Sequence, residues 1–353
     1  MNIKNFWNSI DRLNFILILI LGLLGVLLSF SVNQNFLFIN RHSVFFILSI
    51  IIIIFLSQQS NKNIRRTAFF GFIILISLLF SLYFLEYQIK GSKRWLRIFS
   101  FSFQPSEVIK PFFIILTSWG IAQSIKGKKY FLSSTFISFI ILIILVLMQP
   151  DLGMTILIAS TFFCQLFIAG LPMMLVIYGL VLIFSVSVFS YFFLDYLKNR
   201  IESFLGNADT YQIDLSLRAF KSGGVFGKGP GQGDLKEKIP DANTDFIFAV
   251  AGEELGLIFC LIILIIILSI IVKTLLKVLK VNNPYKIIAI SGLTCSFGLQ
   301  SLINILSALG MIPTKGMTLP FVSYGGSSML ATSILFGFLL SLTNTNNNNN
   351  NEE

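Results

Sequence analysis

The sequence predicts an all-α polytopic membrane protein of about ten transmembrane helices with one large extracytoplasmic loop. Three observations predict it. Hydrophobic residues make up 55% of the 353 and charged residues only 12%, too few charges to clothe a water-soluble globule. Mean hydropathy is +0.84, and the apolar residues gather in runs near the roughly 20 residues that cross a bilayer. These runs lie at 13–32, 43–58, 67–86, 106–125, 131–149, 153–171, 172–194, 245–273, 287–311 and 326–343. Between 195 and 244 the pattern stops, and that polar stretch is too long for a simple connection.

The first run has no cleavage-site pattern behind a short apolar core, and further helices follow, so it reads as a retained anchor. Residues 1–88 supply three anchors whose Phe, Ile and Leu stripes face lipid or pack together. The net charge of +10 is mainly a topology signal. Lys4 and Arg12 precede the first helix, and Lys62, Arg65 and Arg66 follow the second. Lys126, Lys128 and Lys129 follow the fourth, while Lys273, Lys277, Lys280 and Lys286 lie between the eighth and ninth. With ten spans all of these share one side, which the positive-inside rule makes the cytoplasm, with both termini inside. The same parity puts Lys90, Lys93, Arg94, Arg97, Arg200, Arg218, Lys228 and Lys315 outside. Snorkelling accounts for some external cations. Their recurrence in separate loops suits an anionic ligand at a membrane lipid surface, a phosphate or diphosphate.

Several polar stretches carry the candidate chemistry. In GSKRWLRIFSFSFQPSEVIK (91–110), Trp95 suits an interface and Gln104-Pro105-Ser106 a turn into a helix. Glu107 and Lys110 can pair one turn apart, as an interior-facing network at the start of a membrane helix. In QPDLG (149–153), Asp151 is either a turn acid or a functional one. The run SGGVFGKGPGQG (222–233) lacks the preceding strand and GK[ST] ending of a nucleotide loop. A flexible backbone that approaches a headgroup or diphosphate fits it better, and no nucleic-acid partner is implied. Gln300 and Asn304 share a helix face and read as packing glue. IPTKGMTLPFVSYGGSS (312–328), with Ser323 and Ser327, is an unwound insertion of a kind tolerated at membrane depth only inside protein or along a cavity. From Asn344 the chain is Asn-rich and reads as a disordered cytoplasmic tail, leaving 1–343 as one transmembrane domain.

IPDANTDFIFAVAGEE (239–254) stands where the polar stretch meets a long apolar helix. Thr244 suits the N-cap and Asp245 the positive end of the helix dipole. Glu253 and Glu254 follow inside an apolar run, where ionisable groups are expensive and imply an interior-facing functional site. Cys164, Cys260 and Cys295 lie in apolar runs without metal-ligand spacing, as small buried hydrophobes. His42, the only histidine, reads as part of a short loop beside Arg41, which excludes a His pair or a multi-His metal site.

GSKRWLRIFSFSFQPSE, QPDLG, SGGVFGKGPGQG with IPDANTDFIFAVAGEELG, and PTKGMTLPFVSYGGSS together resemble the signatures of the SEDS family (shape, elongation, division and sporulation). The resemblance runs from the first helix to Gly337. PTKGMTLP and GKGPGQG resemble the family's division branch, FtsW, more than its elongation branch, RodA. The resemblance implies a peptidoglycan glycosyltransferase that polymerises lipid II at the outer face of the bacterial cytoplasmic membrane, with its active site toward the periplasm. It also implies a class B penicillin-binding transpeptidase and other divisome proteins as partners. The family's catalytic acid falls in its TDF motif, here Asp245. Its cavity residues match Lys93, Arg94, Gln104, Glu107, Lys110 and Lys315. Trp95, Ser106, Asp151, Arg200, Arg218, Ser323 and Ser327 complete the candidate substrate-binding set. Where the family usually has His before Thr-Asp this chain has Asn243, which can hydrogen-bond but cannot titrate near neutrality.

The expected reaction is attack of an acceptor hydroxyl on C1 of a polyprenyl-diphosphate donor, with Asp245 as general base and Lys93, Arg94 and Lys315 holding the leaving diphosphate. A divalent cation, Mg or Mn, is the one cofactor this chemistry suggests, and no residue is assigned to it. Three other readings use the same residues. One is a lipid II flippase, although the repeated halves common among transporters are not visible. The second is an elongation polymerase, and the third a scaffold whose partner holds the activity.

Overall fold

The computed structural model describes residues 7, 10–32, 36–84, 94–98, 101–149, 151–172, 174, 177–179, 181, 185, 192, 210–313 and 316–344. The chain is a polytopic all-helical membrane protein. Among the described residues, seven helices are long and apolar enough to cross a membrane, and two apolar helices are shorter.

Helices α1 (Arg12–Val32), α2 (Phe36–Ser57) and α3 (Asn61–Ser81) form the first three spans. The Ser60 hydroxyl caps α3 by accepting from Asn63 N at 3.3 Å. His42, expected in a loop, lies buried inside α2, because the helix begins seven residues earlier than hydropathy alone placed it. Its Nδ1 shares a hydrogen bond with Ser29 Oγ, and its ring stands edge-on to Tyr324 at 5.7 Å.

A short antiparallel pair follows, β1 (Leu96–Ile98) and β2 (Phe101–Phe103), with Arg97 opposite Ser102. Then come α4 (Pro105–Ile125), α5 (Tyr130–Leu147) and α6 (Leu152–Ile168). Pro105 opens α4, where a missing N–H costs nothing. A buried polar knot ties α4 to α6: Gln165 Nε2 donates to Ile114 O at 2.9 Å and to Ser118 Oγ at 2.6 Å, while Thr117 Oγ1 donates to Gln165 Oε1 at 2.9 Å. The span expected at 172–194 lies mostly outside the described residues.

The expected external loop is not all irregular, since it contains α7 (Thr210–Gly223). The last spans are α8 (Ile247–Val278), α9 (Pro284–Ala308) and α10 (Gly326–Leu342). In α4 and α9, 67% of the spanning window is buried, against 22% in α5. α10 is buried along nearly all its length, packed on α2 and α4. Thus α4, α9 and α10 form the centre and α5 turns its apolar side chains to lipid. At the end of the bundle where α1 starts, Asp11 pairs with Lys273 and Lys277 of α8 at 2.8 and 2.7 Å. Burial opposes the ionised Asp11 carboxylate, yet the two lysines hold it below its ordinary value.

At Gly256 the backbone leaves helical geometry with φ 76°, so α8 is two helices joined across a kink. The break frees backbone groups on both sides, and the glycine-rich loop satisfies them. Lys228 N and Gly229 N donate to the carbonyls of Glu253 and Glu254 at 3.0 and 2.8 Å. Leu257 N and Ile258 N donate to Gly224 O and Val225 O at 3.0 and 3.3 Å. A Cβ at Gly227 would sit 2.2 Å from Glu254 O, and one at Gly256 would sit 2.4 Å from Gly227 N. Glycine is therefore required at both positions.

Candidate functional site

Asp245 ends a turn that leads into α8. Asp241 N-terminal to it adopts φ 57°, and its carbonyl accepts from Thr244 N and Asp245 N, both at 3.0 Å. Thr244 is not the N-cap: Phe246 holds that place, and the Thr244 hydroxyl donates back to Asp241 O at 3.1 Å. The tight turn, not a side-chain cap, sets the start of the helix.

A second segment, 316–324, grips this turn from the side. Ser323 Oγ donates to Thr244 O at 2.6 Å and accepts from Leu319 N at 2.7 Å. Tyr324 N donates to Asn243 O at 2.8 Å. From α9, Asn304 Nδ2 donates to Asp245 O at 2.9 Å and to Met317 O at 2.6 Å. The carboxylate itself is half-buried, and a Cβ on Gly316 would stand 3.7 Å from its Oδ2. The result is a carboxylate on an immobilised backbone beside an irregular segment, the geometry a positioned base requires. Ser323, a candidate for substrate, uses its hydroxyl to hold this backbone.

One turn along α9, Gln300 reaches the other cluster. Its Oε1 accepts from Lys110 Nζ at 2.6 Å, and its Nε2 donates to Thr318 O at 3.2 Å. Lys110 also pairs with Glu107 at 2.6 Å, both about 4% exposed. Ser327 Oγ accepts from Gln104 N at 2.9 Å and donates to Ser102 O at 3.2 Å, while Gln104 Nε2 donates to Ser106 Oγ at 3.2 Å. So Glu107 and Lys110 form the expected interior pair, tied to α9 by Gln300, while Gln104, Ser106 and Ser327 add a second set of bonds joining β2, α4 and the start of α10. Gln300 and Asn304 are more than packing glue, since through them α9 holds that pair and the Asp245 turn in one register.

Arg94 and Asp151 also meet. Arg94 Nε donates to Gln149 O at 2.9 Å, and its guanidinium lies 3.6 Å from Asp151. Asp151 Oδ1 caps α6 by accepting from Met154 N at 3.2 Å, so it acts as both turn acid and ion-pair partner. Trp95 is half-buried next to Arg94. Arg218 is exposed on α7, and none of the described contacts joins it to Asp245. Lys93, Arg200 and Lys315 lie outside the described residues.

Glu253 and Glu254 face inward as expected, 0% and 1% exposed, but they anchor the glycine-rich loop. Glu253 Oε1 accepts from Asp234 N, Leu235 N and Lys228 Nζ at 2.9, 3.1 and 3.2 Å. Lys236 Nζ donates to Glu254 Oε1 at 2.9 Å, Ser31 O at 2.7 Å and Gly231 O at 2.8 Å. The expected backbone cradle for a diphosphate is thereby corrected, because the N–H groups of Lys228 and Gly229 complete the broken helix instead. Sequence reasoning missed Lys236; its signal was a lysine in a glycine-rich segment with a buried acid to neutralise. In the exposed part of the loop, the Lys228 ammonium holds the Asp234 carboxyl below the usual range. Among the described residues no three His, Cys, Asp or Glu gather as a metal site.

A family model described as "Cell cycle protein", covering FtsW, RodA and SpoVE, matches residues 6–348. A Caulobacter vibrioides protein named "Probable peptidoglycan glycosyltransferase FtsW" is 39% identical over 351 residues, which span 96% of this chain and 90% of that protein. A Borreliella burgdorferi protein of the same name is 34% identical over 321 residues, 88% and 87% of the two chains. Among solved structures, a chain from one described as "Structural coordination of polymerization and crosslinking by a peptidoglycan synthase complex" superposes with a TM-score of 0.82 at 23% identity, covering 96% of this chain and 98% of that one. The rod shape determining protein RodA of Thermus thermophilus gives 0.74 at 22% identity, covering 96% and 97%. These two share the fold.

Proposed function

Because the chain belongs to the FtsW/RodA/SpoVE family of cell cycle proteins, we propose that it is a peptidoglycan glycosyltransferase that polymerises lipid II for the septal wall during cell division. The observation that carries the mechanism is the Asp245 carboxylate on a backbone held by Asn304 and, through the carbonyl of Thr244, by Ser323. The acceptor's 4-hydroxyl attacks C1 of the donor sugar, and Asp245 takes the hydroxyl proton as the new C–O bond forms. The bond from C1 to the diphosphate oxygen breaks, and its electron pair leaves with the polyprenyl diphosphate. That leaving group is already anionic, so it needs cations more than an acid. Arg94, Lys93 and Lys315 take this role, with Lys110 and Glu107 fixing the wall behind. A divalent cation, Mg or Mn, would arrive with the diphosphate and add positive charge there.

Asp245 faces the periplasm in this reading, and both termini are cytoplasmic. The distribution of Lys62, Arg65, Arg66, Lys126, Lys128 and Lys129 supports that orientation. The proposed partner is a class B penicillin-binding transpeptidase, alongside other divisome proteins. The similarity to a chain of a peptidoglycan synthase complex supports it at the level of fold.

The test is lipid II polymerisation by purified protein, with and without its cognate transpeptidase, for the native chain and Asp245→Asn. Glycan chains from the native protein and none from a folded, membrane-inserted variant are expected. Retained polymerisation in Asp245→Asn removes that residue from the mechanism. Headgroup translocation without chains would favour the flippase.

A further inference from the structure

α8 is longer than a bilayer needs. Beyond Gly256, 257–278 rises about 33 Å, enough by itself for a hydrocarbon layer of roughly 30 Å. Its far end carries Lys273 and Lys277, paired with Asp11. The break at Gly256 therefore stands at the membrane boundary on the Asp245 side. α9 ends at the same boundary, since Ala308 closes it one turn beyond Asn304, which holds the Asp245 turn.

α7 is fastened to both places. Near its middle, Ser216 Oγ donates to Ala308 O at 2.6 Å, and a Cβ on Gly310 would stand 2.7 Å from Ile213. Just past its end, Gly224 O and Val225 O accept from Leu257 N and Ile258 N on the far side of the break. A helix tied to the ends of two spans lies along the boundary and does not cross it. Ile213, Leu215, Ser216 and Ala219 are buried, while Tyr211, Leu217, Arg218 and Lys221, at helical spacing, are exposed. An exposed face that mixes aromatic, aliphatic and basic side chains is that of a helix resting in a headgroup layer.

The chain behind α7 continues a lipid-facing stripe. Along one side α8 exposes Leu257, Leu261, Ile265, Leu268 and Val272, the side a spanning helix turns to lipid. Before the break that stripe stops, because 247–254 are all buried. Val225 and Phe226, bonded against Leu257 and Ile258, take over the surface there, and Phe226 is 82% exposed. So bare an aromatic ring, level with the first lipid-facing turn of a span, belongs to the aromatic belt of a membrane interface.

We infer that α7 and 224–226 form a foot set into the leaflet on the Asp245 side, with Phe226 among the upper acyl chains and Lys221 at the level of the lipid phosphates. Phospholipid is the occupant of this surface, because its apolar part runs directly into the face that α8 gives to the bilayer, and its charge lies at the polar edge. The loop that completes the broken helix is thereby held from two sides, by Glu253 and Glu254 within the protein and by lipid outside it.

The test reads depth in a bilayer. In the full chain with Cys164, Cys260 and Cys295 changed to Ala, a nitroxide is attached through Phe226→Cys, Lys221→Cys or Glu237→Cys, and the protein is placed in nanodiscs of dioleoylphosphatidylglycerol and dioleoylphosphatidylethanolamine. Oxygen concentrates among acyl chains and a nickel chelate in water, so the ratio of their collisions with the nitroxide reports depth. The expected order is 226 above 221 above 237, with the ratio at 226 several-fold that at 237, a residue exposed in the polar part of the loop. A ratio at 226 no higher than at 237 overturns the inference. So does a nitroxide at 226 that neither reagent reaches, which assigns the surface to a protein chain, and broadening between nitroxides would identify that chain as a second copy. Phe226→Trp in the chain with its native cysteines repeats the reading without the label. Its added emission should be quenched by lipids brominated on the upper acyl chain, and an added emission that these lipids leave unquenched counts against the foot.

Discussion

Asn304 Nδ2 holds two carbonyls at once, that of Asp245 at 2.9 Å and that of Met317 at 2.6 Å. One amide group thus joins the turn bearing the candidate base to the irregular segment beside it. Asn304→Leu keeps the volume and removes the donor. Each deserted carbonyl costs about 1–3 kcal/mol if it stays dry. An ångström of drift at a reacting group costs about 100-fold. The expected outcome is a kcat for lipid II polymerisation lower by about that factor with KM little changed. A kcat and thermal midpoint both equal to the native values would count against a positioning role.

Lys236 and Glu254 form a pair whose side chains are 7% and 1% exposed. Removing one partner of such a pair strands a buried charge, at a cost of about 3–5 kcal/mol. Lys236→Met should therefore lower the thermal midpoint in detergent steeply. The double variant Lys236→Met/Glu254→Leu should recover much of the loss, and a double-mutant cycle measures the coupling. Additive losses would mean that the two side chains do not depend on each other.

Gly256→Ala tests the break in α8. The substitution puts a Cβ 2.4 Å from Gly227 N at a φ of 76°. The strain should expel the loop from the break and expose its backbone. Limited proteolysis between 224 and 238 should speed up by tenfold or more, about what 1.4 kcal/mol of easier opening gives. Gly231→Ala is the control, since it has positive φ but open space around the position of a Cβ. Equal cleavage of the two variants would locate the strain elsewhere.

The Asp11 clasp should respond to acid in one direction. Its folded-state value lies below the ordinary 3.8, because Lys273 and Lys277 outweigh burial. A carboxyl depressed on folding contributes stability that is complete above the unfolded value and disappears as pH falls through the lower folded one. A plot of thermal midpoint against pH should therefore fall off below about pH 4. Asp11→Asn should start lower and lose part of that acid limb. An unchanged limb would assign it to other groups.

Much of the fold was legible because spanning helices answer to bilayer thickness, a constraint written into run length. Arg12–Val32, Pro105–Ile125 and Gly326–Leu342 each fall within one residue of the apolar runs. What hydropathy could not show was set by partners distant in sequence. Gly256 sits in an apolar run like any tolerated helix glycine, and only the loop that completes it reveals a break. Glu253 and Glu254 were legible as inward-facing, yet whether such acids do chemistry or hold a loop depends on Lys228 and Lys236. At the site, Glu107 with Lys110 followed from their spacing. Their link through Gln300 to Thr318, in the segment beside Asp245, did not, because it crosses from α4 to α9.

α6 and α10 have 17 residues each and rise about 26 Å, less than the roughly 30 Å of a typical hydrocarbon layer. α10 lies inside the bundle along nearly all its length, so neighbouring helices and not lipid meet its shortfall. The segment 316–324 directly before it is enclosed in the same way, with Met317, Leu319, Phe321, Val322 and Ser323 buried, the setting in which irregular backbone beside a spanning helix keeps its polar groups satisfied.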